Sequence, residues 1–102
     1  MIKEFKIGKV YRLRKDHPIF LRNENFIEYQ LQNGNQQIWN TSMTQGFRNY
    51  PKQKVISCIT NDENDGSFSV KFEHVKLGPC VYYLEEFEEV NSLKNLLMKG
   101  KK

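Results

Sequence analysis

Lys54-Val-Ile-Ser-Cys-Ile-Thr-Asn-Asp-Glu-Asn-Asp-Gly-Ser-Phe-Ser-Val-Lys-Phe72 holds two apolar runs around a polar cluster that ends in Asp65-Gly66. In the second run Phe68, Val70 and Phe72 alternate with Ser67, Ser69 and Lys71, the period of a strand buried on one face. Its partner, Val55-Ile56-Ser57-Cys58-Ile59, is apolar nearly throughout and predicts a strand with little solvent exposure. The stretch therefore predicts an antiparallel hairpin, and a mainly β fold around it.

Working outward, the same kind of signal recurs on both sides. Residues 6–14 predict a first strand with Tyr11 and Leu13 on one face and Val10, Arg12 and Arg14 on the other, after a bend at Gly8. Asp16-His17-Pro18 interrupts the ladder, because proline has no N–H to donate. Ile19-Phe20-Leu21 is a short apolar filler. Phe26 to Thr41 then encloses Asn33-Gly34, which predicts a two-residue type I′ turn. That register sets Tyr29 opposite Ile38 and Glu28 opposite Trp39, leaving the single tryptophan on the polar side. Ser42 to Gln53, punctuated by Gly46 and Pro51, predicts a loop or one helical turn. Beyond the hairpin, Gly78-Pro79 leads into a strand from Cys80, Glu85-Glu86-Phe87 predicts one helical turn, and Glu88-Glu89-Val90 a closing strand. Five to six short strands in 102 residues predict one small antiparallel β-barrel over residues 1–91. Residues 92–102 predict a short C-terminal helix, capped by Ser92 and stopped by Gly100, with a basic tail.

Composition narrows the function classes. Aromatics at 13% argue against disorder despite 27% charged residues. No apolar run is long enough for a membrane helix and the first residues lack a signal-peptide core, so a cytoplasmic protein without membrane contact is expected. Residues 1–54 hold ten Lys or Arg against four Asp or Glu, a balance of +6, and residues 55–102 hold six against eight, a balance of −2. The net +4 thus resides in the first half, which points to an anionic partner. Cys58 and Cys80 have no cysteine close in sequence and predict packed free thiols, with no metal site and no cofactor. His17 and His74 sit at no recognisable spacing from a nucleophile. The carboxylates of Asp62-Glu63-Asn64-Asp65 and Glu85-Glu86-Phe87-Glu88-Glu89 are expected to be solvated, and no catalytic motif is present. The expected class is a non-catalytic binding module.

Nucleic-acid binding needs cations along a surface and planar groups on which bases stack. Arg12, Arg14 and Lys15 supply an outward row. Arg48, Lys52 and Lys54 flank Phe47 and Tyr50, with Trp39 in the strand leading to them. These nine residues form the expected surface for RNA or DNA backbone, although basic strand residues also serve simply as solubilising groups. The same aromatics and arginines would suit the competing class, a protein-binding regulator or inhibitor.

Ile7-Gly-Lys-Val-Tyr11, together with Val81-Tyr-Tyr-Leu-Glu-Glu-Phe-Glu-Glu-Val90, resembles the opening strand, single turn and closing strand of small Src-homology-type (KOW-like) barrels. The acidic-aromatic groove of the peptide-binding signalling members is missing. The likeness is nearer to nucleic-acid-binding relatives and to small early proteins of tailed phages, which implies a cofactor-free module that binds nucleic acid or blunts a host system.

Overall fold

A computed structural model describes residues 2–90, so the expected C-terminal helix and tail lie outside the described residues. Within them the chain is mainly β. The strands are β1 (Val10–Leu13), β2 (Ile27–Gln30), β3 (Gln36–Trp39), β4 (Lys52–Asp62), β5 (Ser67–Phe72), β6 (Cys80–Tyr83) and β7 (Phe87–Glu89). Two helices, α1 (Pro18–Leu21) and α2 (Thr41–Asn49), and a 3-10 turn at Leu84–Glu86 complete the set.

β4 and β5 form the expected hairpin at the centre of a five-stranded antiparallel sheet ordered β6-β5-β4-β1-β7. Phe68, Val70 and Phe72 are buried as their alternation requires. β4 departs from expectation, because register shifts between Val55 and Ser57 and between Thr60 and Asp62 carry the strand out of the core. Such bulges twist a strand and re-aim its side chains. Ile59 is consequently 68% exposed.

β6 and β7 are opposite edges of this sheet, yet the three-residue 3-10 turn alone joins them. The sheet must therefore curl strongly. No ladder pairs β6 with β7 among the described residues, so the sheet stays open: the expected barrel is not closed, and the described residues form a curled sheet with a separate β2-β3 hairpin. Tyr11, Leu13, Val55, Phe68, Val70, Phe72, Tyr82 and Phe87 line its inner face. Phe5, ahead of β1, drops into the middle of this set and meets Tyr11 and Phe87 edge-on at 5.2 Å.

The β2-β3 hairpin corrects the expected register. Ile27 faces Trp39, Glu28 faces Ile38 and Tyr29 faces Gln37, one residue away from the two-residue turn. Leu31 N–H donates to Asn35 O at 2.7 Å and Gly34 N–H to Leu31 O at 3.0 Å, which makes Gln32-Asn33-Gly34 a three-residue loop. Gly34 alone takes the left-handed conformation, at φ 90°, whereas a type I′ turn would put Asn33 there too. Because side chains alternate, a slip of one residue exchanges the faces of β3. Trp39 turns inward and is buried, while Ile38 turns out and is 50% exposed.

Where a loop or one helical turn was expected over Ser42 to Gln53, the chain forms the nine-residue helix α2, and Lys52 and Gln53 already belong to β4. Thr, Ser, Asn and Gly give α2 poor intrinsic propensity, so capping and burial decide. The Asn40 side chain accepts from Met43 N–H at 2.9 Å, and Met43, Thr44 and Phe47 face the core. Gly46 lets the helix approach the chain after β5: a Cβ there would lie 2.7 Å from His74 O. Alanine is the better helix former by about 1 kcal/mol, but the contact is with backbone and cannot swing aside. Gly46→Ala is expected to destabilise by about 1–3 kcal/mol in chemical denaturation; a gain in stability would show that α2 does not pack this closely.

Candidate nucleic-acid interface

The basic residues of β1 and β4 meet on the outer face of the sheet. Arg12 lies opposite Lys52 and Val10 opposite Lys54. Alternation along β4 puts Lys54 on the same side as Lys52, and Arg14 follows Arg12 by two residues, just past the end of β1. Strands sit about 4.8 Å apart and alternate residues about 7 Å apart along them, so these four cations form one compact patch. Arg14, Lys52 and Lys54 are exposed and Arg12 is half-buried. Two carboxylates adjoin the patch. Glu88 lies opposite Arg12 and pairs with it at 3.0 Å, and Glu73, whose N–H donates to Lys54 O, pairs with His74 at 3.3 Å. Lys15 is exposed in the turn after β1.

The other expected site residues are distributed differently. Trp39 and Phe47 are core residues, their rings 5.3 Å apart edge to face. Arg48 is a staple: Nε donates to Ile19 O at 2.9 Å, Nη2 to Arg22 O at 2.5 Å and Glu24 O at 2.7 Å, and Nη1 to Asn25 Oδ1 at 3.3 Å. These bonds tie α2 to α1 and to the segment that follows it, and they occupy the guanidinium. Tyr50 remains accessible at 51% exposure, stacked on His74 at a centroid distance of 3.8 Å, two residues before Lys52. The structure thus gathers Arg12, Arg14, Lys52 and Lys54, leaves Tyr50 at the near end of β4, and withdraws Trp39, Phe47 and Arg48.

Comparison with protein-family models, curated proteins and solved structures finds no match for this chain. The site rests on its geometry alone.

The principal polar cluster of the interior is one that the sequence concealed. Glu86, in a run of acids expected to be solvated, is 3% exposed at the end of the 3-10 turn. Trp39 Nε1–H donates to its Oε1 at 2.8 Å and His17 Nε2–H at 2.9 Å, and the Tyr29 hydroxyl donates to the same oxygen. Gln37 Nε2 and Tyr83 N–H donate to Oε2 at 3.2 and 3.0 Å. His17, also buried, accepts from Ile19 N–H on Nδ1, which fixes its proton on Nε2. Burial raises the Glu86 carboxyl well above its usual range, against the pull of the Tyr83 amide, and lowers His17 to about 3.

Elsewhere the chemistry is quiet. Cys58 and Cys80 are both aligned with Val70 on the intervening strand, two strand spacings or roughly 10 Å apart, beyond disulfide reach. Burial pushes both thiols up, away from the reactive thiolate form. Among the described residues no three His, Cys, Asp or Glu side chains converge as metal ligands.

Two outcomes test the hub. Glu86→Leu leaves Trp39 Nε1–H and Tyr83 N–H without their acceptor, while Gln37 keeps Val81 O and His17 and Tyr29 keep each other; at about 1–3 kcal/mol for each orphaned donor, it is expected to remove about 2–6 kcal/mol of stability, read by denaturant titration. The pH dependence follows from the directions of the two shifts. The contribution of Glu86 is present at low pH and lost as pH rises, and that of His17 is present above 6.5 and lost as pH falls towards 3. The stability of wild type relative to His17→Gln is therefore expected to decline as pH falls from 6.5 towards 3, read by melting temperature. A difference that stays constant across that interval would contradict it.

Proposed function

We propose that this protein is a non-catalytic module that binds the phosphate backbone of RNA or DNA, with little base specificity, through the outer face of β1 and β4. The observation that carries this reading is the cross-strand register that sets Arg12 opposite Lys52, with Lys54 further along β4 and Arg14 just past the end of β1. Phosphates held by several lysines and arginines release condensed counterions, which gives affinity without sequence reading. The Arg12–Glu88 pair is exposed enough to be worth about 0–1 kcal/mol, so a phosphate can replace Glu88 at little cost. Tyr50 offers one ring beside the patch, fewer than a stacking platform uses. The likeness of the two end segments to small Src-homology-type barrels is in keeping with such a role, and a cytoplasmic location belongs to the same proposal.

A second reading, a regulator that docks on a protein and is of the kind phages direct at host systems, has one observation in its favour. Ile38 and Val81, 50% and 43% exposed, flank a cleft of about 440 Å³ between β3 and β6. Salt separates the readings, since apolar docking loses little affinity where phosphate binding loses much.

Arg14→Ala/Lys52→Ala/Lys54→Ala is expected to weaken oligonucleotide binding at low salt by about tenfold or more and to make the salt slope shallower by about 2–3, as read by fluorescence anisotropy. Unchanged affinity, or no wild-type binding at low salt, would defeat the proposal. Arg48 is unsuited to this test because its loss would loosen α2.

A further inference from the structure

Lys3, Lys6, Lys9 and Arg12 recur at intervals of three along the start of the chain. The structure turns this spacing into the lining of a groove. Phe5 anchors the arm, its buried ring edge-on to Tyr11, Phe68, Phe72 and Phe87 at 5.2, 5.4, 5.9 and 5.2 Å. Lys6 N–H donates to the Tyr11 hydroxyl at 2.7 Å and Gly8 N–H to Val55 O at 2.8 Å, with Gly8 at φ 88° where the arm turns into β1. The arm's backbone is therefore anchored at Phe5, Lys6 and Gly8, which sets where Lys3, Lys6 and Lys9 leave the chain.

Between this arm and the β1-β7 edge lies an open groove of about 710 Å³. Lys3, Lys6 and Lys9 line it from the arm, and Arg12 and Arg14 from β1 and its end. Glu4, Glu88 and Glu89 also line it, which leaves five cations against three carboxylates. Glu88 and Glu89 are engaged by Arg12 and Lys9 at 3.0 and 3.5 Å in exposed pairs that exchange readily for other anions. No ion pair involves Lys3, Lys6 or Arg14 among the described residues. The aromatic residues of the lining, Tyr11 and Phe87, are buried at 1% exposure and present no ring for a base.

Resting on the phosphate-binding reading above, we infer that this groove is the path of a single-stranded nucleic acid, held by its backbone and entering or leaving across Arg12 and Arg14 onto the Lys52 and Lys54 face. A duplex carries its phosphates on convex ridges and suits an open face. A flexible single strand can follow a concave wall lined with cations, as single-strand grooves do. Arg12 and Arg14 belong to both surfaces, which makes the path continuous.

The test compares labelled oligo-dT, oligo-U and a duplex of the same length by anisotropy, using wild type, Lys3→Glu/Lys6→Glu and Lys52→Ala/Lys54→Ala. Both arm lysines are exposed, and an unchanged melting temperature verifies that the fold survives. The arm variant is expected to lose about tenfold or more in single-strand affinity, with a shallower salt slope, while duplex binding changes by less than about threefold. Equal losses for single strand and duplex, or no loss for either, would overturn the groove while leaving the outer-face reading intact. Equal competition by inorganic polyphosphate would reduce the groove to a general polyanion site and overturn it as well. Failure of wild type to bind any of the three at low salt would remove both readings.

Discussion

A single carboxylate holds the two parts of this fold together. Glu86 sits where the sheet's opposite edges are brought together, and it accepts from His17 before α1, Tyr29 on β2, Gln37 and Trp39 on β3, and Tyr83 at the end of β6. Burying a carboxyl is costly unless its lone pairs are satisfied. Satisfying them here requires the β2-β3 hairpin to dock in one position, because donors on four separate segments must converge. The same bonds protect the β6 edge: Gln37 Nε2 donates to Val81 O at 2.9 Å and Glu86 takes the Tyr83 N–H. Two groups of an edge strand are thereby satisfied by side chains and withheld from strand pairing with another chain.

Hub and register are two aspects of one constraint. In the register of a two-residue Asn-Gly turn, Trp39 would face solvent and its N–H could not reach Glu86. In the observed register Trp39 packs on Tyr82 and Phe47 at 5.5 and 5.3 Å, and Gln37 is buried beside it. Asn-Gly favours the shorter turn by local preference, while the longer loop buries an indole and supplies two donors to a buried acid. The tertiary terms are the larger ones, since burying a large side chain contributes about 1.5–3 kcal/mol and an unmet buried donor costs about 1–3.

This interior leaves the proposed binding surface with charge and little aromaticity. Trp39 and Phe47 serve the core and Arg48 the joint between α2 and the α1-β2 segment, which moves the proposed interface from an aromatic loop to the outer strands and the N-terminal arm. Phe5 links the two roles, as its burial in the sheet gives Lys3 and Lys6 fixed neighbours. A basic tract that in sequence could equally be a solvated tail thereby lines one side of a groove.

Local pattern sufficed for the β4-β5 hairpin, the inward Tyr11 and Leu13, the bend at Gly8 and the closing Glu88-Glu89 segment, because strand alternation and positive-φ glycines leave their mark on adjacent residues. The outward Arg12 was legible for the same reason, as a period-two position opposite an apolar face, whereas Lys52, expected in a loop, joins it only through the β1-β4 register. Contacts distant in sequence decided the rest. Neither the burial of Glu86 within a run of acids, nor the inward turn of Trp39, nor the capture of Arg48 by backbone carbonyls has a signature in neighbouring residues, since each depends on partners 23 to 69 positions away. The sequence by itself determined which strands form and where the positive charge lies; the tertiary structure alone decided which of those residues face water, because a one-residue register and a single buried acid are settled by packing between segments.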